Sequence, residues 1–212
     1  MPVKDRKLQL EAFSRLLDIM DDLREKCPWD RKQTFESLRT LTIEETYELS
    51  DAIADNDLEE VRKELGDLLL HIVFYAKLGE EAGAFDVAAI ANGICEKLIV
   101  RHPHIYADVK VSSEEDVKKN WEKIKLKEGK NSVLEGVPRG LSSVIKAQRI
   151  QEKAAGVGFE WEKTADVLAK VKEEWDEFEV EIARDHKEHM EQEFGDLLFS
   201  MINLSRFLKI NP

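Results

Sequence analysis

Turn-forming residues are scarce in this chain, with 10 Gly and 5 Pro among 212 residues, fewer than a sheet-rich fold of that length requires. Cysteine is scarcer still. Cys27 and Cys95 stand far apart, forming neither a disulfide framework nor a Cys-x-x-Cys metal pair, so both are expected as free thiols in a reducing compartment. No run of about 18 apolar residues occurs. The start, Met1 to Leu10, is charged and lacks the apolar stretch of a signal peptide. The expectation is a cytoplasmic protein with no membrane partner. An excess of positive charge is also missing. The formal net charge of −12 argues against a broad basic surface that grips a nucleic-acid polymer. Small nucleotides stay within reach, because a divalent cation on carboxylates reverses the local sign and turns an acidic site into an anion site.

What is abundant is helical patterning. Apolar residues make up 42% and charged residues 36% of the chain, the balance of a folded helical protein. Segments 8–25, 34–55, 57–82 and 85–101 carry apolar residues at spacings of three and four, which predicts four helices. Leu10, Phe13, Leu17, Met20 and Leu23 form the stripe of the first, and Cys27-Pro28-Trp29-Asp30 breaks the chain after it. Gly79 and Gly83 are expected to loosen the end of the third helix, and Pro103 stops the fourth. A charged helix through Trp121 follows. Between Gly129 and Gly140, Asn131, Ser132, Gly136 and Pro138 accumulate and periodicity lapses, which places a domain boundary there. Helical patterning resumes at 141–155, breaks at Gly156-Val157-Gly158, and returns at 164–184 and 187–209. The expected organisation is a first helical domain over 1–128, a linker over 129–140 and a second helical domain over 141–212.

The second half repeats the first. Glu44-Glu45-Thr46-Tyr47-Glu48 matches Glu173-Glu174-Trp175-Asp176-Glu177. Sixteen residues after Glu48 comes Glu64-Leu65-Gly66-Asp67, and sixteen after Glu177 comes Glu193-Phe194-Gly195-Asp196. A Trp-acid pair precedes each acidic helix, Trp29-Asp30 and Trp161-Glu162.

Residues three apart share a helix face, so Glu45 with Glu48, and Glu64 with Asp67, each offer two carboxylates to one point. Two such helices packed antiparallel bring four together. A lone EExxE in a chain this acidic is an ordinary solvated face. Here Leu41 and Ala52 share the stripe of Glu45 and Glu48, and Leu65, Leu68, Leu69, Ile72 and Val73 surround Glu64 and Asp67, so these acids are expected to face a core. Val167, Val171 and Phe178 repeat the arrangement around Glu174, and Met190, Leu197 and Leu204 around Glu193. Carboxylates gathered in a partly dry place repel one another unless a cation lies between them. All-oxygen ligands favour Mg²⁺ or Mn²⁺ over zinc. A di-iron bundle would use Glu-x-x-His, and no Glu here is followed three residues later by His. Mg²⁺ keeps waters and completes its shell with substrate phosphates, which points to phosphoryl chemistry.

These tandem motifs, with Cys27-Pro-Trp-Asp30, Arg101-His-Pro-His104 and Val157-Gly-Phe-Glu-Trp161, resemble the MazG family over nearly the whole chain. The resemblance implies an all-α fold of two tandem, four-helix-bundle-type domains, a homodimer, and Mg²⁺-dependent hydrolysis of (d)NTPs to (d)NMP and pyrophosphate by attack of metal-activated water on the α-phosphorus. Nucleotide-pool housecleaning is the role it suggests. It also implies Glu45, Glu48, Glu64 and Asp67 as metal ligands in the first copy, and Glu174, Glu177, Glu193 and Asp196 in the second. Glu44 and Glu173 become candidates to orient or deprotonate the attacking water, although both also read as plain exposed helix charges. Lys97 and Arg101, one helical turn apart, fall close to the family's phosphate-binding Lys/Arg pair. The counterpart of that pair in the second copy falls beyond Pro212, so the second domain is expected without its C-terminal basic helix.

Trp29 and Trp161 can stack a nucleobase or anchor a core, and Asn203, two turns after Asp196, can bond a phosphate or base. His102 and His104 read as turn residues rather than zinc ligands. Two other classes remain open: a nucleotide- or metal-binding regulatory module with at least one non-catalytic site, and a structural bundle that docks a basic partner on its acidic stripe.

Overall fold

The structure, a computed structural model, describes residues 5–113, 116, 117, 120, 121, 124 and 132–212. Every regular element among them is helical. In chain order these are α1 (Arg6–Lys26), a single 3₁₀ turn (Asp30–Lys32), α2 (Phe35–Ala54), α3 (Leu58–Glu81), α4 (Val87–Arg101), α5 (Pro103–Tyr106), α6 (Ser143–Gly156), α7 (Thr164–Arg184) and α8 (Lys187–Leu208). The expected helices therefore form within one or two residues of their predicted ends. The charged helix through Trp121 lies largely outside the described residues, as do positions 129–131 of the expected linker. Contacts divide the chain into units 1–98 and 99–212, a division that falls inside α4.

In the first unit, side chains set the helix limits. Asp5 caps α1 by accepting from the Leu8 amide at 3.0 Å. Thr34 and Ser37 cap α2 reciprocally, each side chain accepting from the other's amide. Thr34→Ala is expected to cost about 1 kcal/mol, read as a lower midpoint in denaturant at unchanged slope. Asp55, Asn56 and Asp57 join α2 to α3; Asn56 takes the left-handed conformation at φ 57° and Asp57 accepts from the Glu59 and Glu60 amides. So short a connection lays α2 and α3 antiparallel. Met20, Leu38, Val73, Phe74 and Leu78 form the core between α1, α2 and α3, with Phe13, Leu16, Leu17, Leu41, Leu70 and Tyr75 packed around it. Leu10, assigned from its spacing to the α1 stripe, instead projects from the first turns and is 62% exposed.

Arg24 closes the far end of this unit. Its guanidinium donates to both carboxylate oxygens of Glu81, at 2.8 and 2.5 Å, and to the carbonyl of the buried Asp30. Gly79 does not loosen α3. It lies inside the helix, and a Cβ there would overlap the ring of Phe85, which needs the bare backbone to come close. The helix ends at Glu81, and two residues on, Gly83 takes the left-handed conformation at φ +64° that turns the chain away. Helix α4 does not pack on α1, α2 or α3 among the described residues. Its Ile90, Ile94, Leu98 and Ile99 are consequently exposed.

The second unit contains α6, α7 and α8. Helices α7 and α8 form the antiparallel pair, joined through Asp185, a left-handed residue at φ 54°, and His186. Helix α6 packs on α8, where the buried Gln151 amide donates to the Phe199 carbonyl at 2.7 Å. No helix among the described residues is long and apolar enough to cross a membrane. Cys27 is half-buried and Cys95 exposed, and both are free thiols.

Candidate functional site

Each antiparallel pair gathers acids from both of its helices. Glu45 and Glu48 of α2 and Glu64 of α3 have carboxylate oxygens within 4.8 Å of one another. Glu174 and Glu177 of α7 and Glu193 of α8 do the same. The i, i+3 spacing aims two carboxylates across the helix seam, and the sixteen-residue interval brings the third back opposite them after the turn. Asp67 and Asp196 lie one turn beyond Glu64 and Glu193, close enough to act on Glu45 and on Glu193 respectively.

These acids are only partly core-facing. Glu64 and Glu174 are buried and Glu45 and Glu193 half-buried, whereas Glu48, Asp67, Glu177 and Asp196 are exposed. Leu65, Leu69 and Ile72, read as a cover for Glu64 and Asp67, are themselves 52%, 38% and 48% exposed. Helical spacing shows that a face is apolar, not that the same chain covers it. Electrostatics nevertheless marks both clusters. Burial, then Glu48, then Glu60 and Glu45 push the Glu64 carboxyl up to about 6. Burial and then Asp67 and Glu48 raise Glu45, partly offset by His71. Burial followed by Glu177, Asp196, Glu174 and Glu181 raises Glu193. Oε2 of Glu64 is buried without a hydrogen-bond partner. An orphaned carboxylate oxygen beside two further carboxylates fits a hard divalent cation held by oxygen ligands.

The two copies differ in what lies beside the acids. In the second, Lys170 of α7 reaches both Glu174, at 2.9 Å, and Glu173, at 2.7 Å. The equivalent position in the first copy is Leu41, and among the described residues no ion pair reaches Glu45, Glu48, Glu64 or Asp67. The first copy has instead the buried His71 close to Glu45, where the second has Ser200. Neither Lys170 nor His71 was singled out from sequence. A Lys one turn before an acidic pair was the available signal.

The remaining candidates are spread more widely. Glu44 and Glu173 are exposed beside their clusters. Lys97 is exposed on α4, and Arg101 is half-buried at the end of that helix. No described contact brings α4 to α2 or α3, so the structure does not join Lys97 to the acids. Trp29 and Trp161 are 56% and 45% exposed, so neither is sealed in a core. Trp161, Asn203, Phe159, Glu160 and Arg206 line one cavity of about 380 Å³ beside α6 and α8. Within it Arg206 donates to both oxygens of Glu160, at 2.6 and 2.7 Å, and to Asn203 Oδ1 at 2.8 Å. His102 stands at the N-cap position of α5 without a side-chain cap bond, and its ring meets that of Trp121 edge-on with centroids 4.9 Å apart, a packing role at the turn.

The MazG nucleotide pyrophosphohydrolase domain matches residues 33–106 and 162–211, and each match contains one acidic helix pair. Over 208 residues the chain is 43% identical to the nucleoside triphosphate pyrophosphohydrolase of Escherichia coli, spanning 94% of this chain and 79% of that protein. It is 44% identical over 205 residues to the nucleoside triphosphate pyrophosphohydrolase/pyrophosphatase MazG of Thermotoga maritima, spanning 94% of this chain and 78% of that one. A solved mazG-related protein from Thermotoga maritima aligns with 53% of this chain and 98% of its own, at 29% identity and a TM-score of 0.48. The chain belongs to the MazG family of nucleoside triphosphate pyrophosphohydrolases, all-α hydrolases that act on acid anhydrides.

Proposed function

We propose that the protein hydrolyses nucleoside or deoxynucleoside triphosphates to the monophosphate and pyrophosphate with Mg²⁺, attack falling on the α-phosphorus. The observation that carries this reading is the convergence of three carboxylates within 4.8 Å in each helix pair, one of them buried. Glu45, Glu48, Glu64 and Asp67 would hold the cation in the first copy, and Glu174, Glu177, Glu193 and Asp196 in the second. When bound, Mg²⁺ supplies neutralisation of phosphate charge and a more acidic water. The chain's own part is orientation. Glu44 or Glu173 holds the attacking water and takes its proton as the new P–O bond forms and the bond to the bridging oxygen breaks, releasing pyrophosphate. Lys170 offsets the negative charge of the second cluster, and Lys97 and Arg101 are candidates to hold phosphate oxygens of the substrate. The cavity at Trp161 and Asn203 offers an aromatic face and an amide to a base. Trp29 offers the first copy a similar face.

A homodimer is part of this reading. The exposed Ile90, Ile94, Leu98 and Ile99 of α4 and Leu65, Leu69 and Ile72 of α3 are apolar surface that a second copy would cover. A cytoplasmic enzyme of nucleotide-pool housecleaning, with no membrane or nucleic-acid polymer as partner, completes the proposal. The unequal surroundings of the two clusters favour a second reading for one of them, a site that binds metal or nucleotide without turnover. Product analysis tests the main reading. A panel of NTPs and dNTPs with Mg²⁺ is expected to yield pyrophosphate and monophosphate. Orthophosphate with diphosphate would place the attack at the γ-phosphorus and overturn it, and metal-dependent thermal stabilisation with no product would leave the binding module.

A further inference from the structure

A third cluster of metal-ligating side chains lies at the turn between α7 and α8 and takes no part in the chemistry above. Glu181, in the last turn of α7, is buried, at 7% exposure. His186 and His189 open α8 and are exposed. One ligand atom from each of the three lies within 4.8 Å of the others. The imidazole rings stand 4.0 Å apart between centroids. Oε2 of Glu181 faces Nδ1 of His189 at 3.4 Å, while its Oε1 accepts from Arg184 Nη1 at 2.6 Å. One carboxylate oxygen is thus fixed by the guanidinium and the other faces His189, while His186 Nδ1 accepts from the His189 amide at 3.4 Å, which leaves its Nε2 as the nitrogen free to ligate. The left-handed Asp185 makes this approach possible, because it reverses the chain immediately before His186.

We propose that Glu181, His186 and His189 form a transition-metal site of the zinc class, separate from the acidic cluster of the same helix pair. Two imidazoles and one carboxylate are borderline ligands that select Zn²⁺, Co²⁺, Ni²⁺ or Cu²⁺ over Mg²⁺. The present ligand separations need only a modest contraction to place all three about 2.0–2.2 Å from one ion, with water as the fourth ligand. The set is also particular to the second copy. At the equivalent positions of the first copy stand Ala52, Asp57 and Glu60, which offer no imidazole. The tandem acidic motif therefore does not account for it. Zinc bound here ties the end of α7 to the start of α8, one helical turn from Glu177 and from Glu193, and so braces the end of the pair that carries the second acidic cluster.

The test uses the whole protein with excess Mg²⁺ present, so that hard-ligand sites are filled before the probe is added. Co²⁺ is titrated as a spectroscopic probe, and Zn²⁺ by calorimetry and thermal melting. The expected result is one equivalent of Co²⁺ giving the visible absorption of a four-coordinate ion, displaced by Zn²⁺, with a Zn²⁺-dependent rise in melting temperature. His186→Asn retains a capping side chain and His189→Gln a helix-compatible one, so both variants keep the fold while removing an imidazole. Each is expected to weaken Zn²⁺ at least about tenfold, since disturbing even the outer shell of a metal site costs 10 to 100-fold. Glu174→Gln should leave Zn²⁺ uptake intact. Zn²⁺ binding unchanged in both histidine variants, or lost in Glu174→Gln, would overturn the proposal, as would the absence of a Co²⁺ spectrum.

Discussion

Glu174→Gln is expected to lower pyrophosphate release by about 100-fold or more, and Glu45→Gln by much less, because removing one carboxylate from a metal-assisted site forfeits several kcal/mol of transition-state stabilisation. The amide keeps the shape of the side chain, so the change isolates charge and ligation from packing. The second copy is favoured as the working one by what surrounds it. Lys170 already lies against Glu173 and Glu174, a fixed cation beside the proposed ligands. Trp161 and Asn203 line a cavity in the same unit. In the first copy no ion pair among the described residues reaches the four candidate ligands. Steady-state release of pyrophosphate from a preferred triphosphate, with melting curves to show that each variant is folded, checks the ranking. Equal losses in the two variants would mean that the copies act together. A dominant loss in Glu45→Gln would assign turnover to the first copy and leave Lys170 as a structural neighbour of Glu174.

The helices themselves were legible because spacing and punctuation agree. The pattern over 164–184 predicts α7 to the residue, Thr164–Arg184, and Gly83 and Pro103 stand where helices end for the reasons their chemistry supplies. The repeat was legible too, since two motifs at one interval survive any change of loop. Which acids are buried was not. Position on the stripe treats Glu45 and Glu174 alike, yet Glu174 is buried and Glu45 only half so. Lys170 pairs with Glu174 at 2.9 Å from one turn earlier, whereas Leu41 at the equivalent position offers Glu45 no charge partner. The apolar face of Leu65, Leu69 and Ile72 was read as an internal cover because periodicity reports that a face is apolar without naming what lies on it. The expected boundary at 129–140 rests on turn residues alone, while contacts group residues 1–98 and 99–212. The Glu181, His186 and His189 cluster escaped because its spacing matches no metal motif within one helix. It exists only once Asp185 turns the chain.

Glu64→Gln is expected to have opposite effects with and without metal. In the metal-free protein Glu64 carries a carboxylate whose Oε2 is buried without a partner, and its titration is pushed up to about 6 by burial first and then by Glu48 and Glu60. A group whose folded value exceeds its unfolded one binds extra protons in the native state. Its contribution to stability is therefore complete below the ordinary carboxylate value of 4.5 and is lost as the pH rises through about 6. At pH 7.5 the wild-type protein keeps a disfavoured charge at this position, and the neutral amide removes it. The variant should then melt higher than wild type without metal, and the gap should close as the pH is lowered toward 4.5, where Glu64 is neutral as well. Mg²⁺ reverses the order. The carboxylate must be charged to bind the cation, so the Mg²⁺-induced rise of the wild-type melting temperature should grow between pH 5 and 7, while the variant shows a smaller rise. Paired melting curves at pH 5 and 7.5, each with EDTA and with excess Mg²⁺, separate these effects. A lower melting temperature for Glu64→Gln in EDTA at pH 7.5 would mean that the charged carboxylate is already satisfied within the chain, and the case for a cation beside Glu45 and Glu48 would lose its strongest support. A higher one that disappears on adding Mg²⁺ is the signature of a site whose repulsion is relieved by the ion it binds.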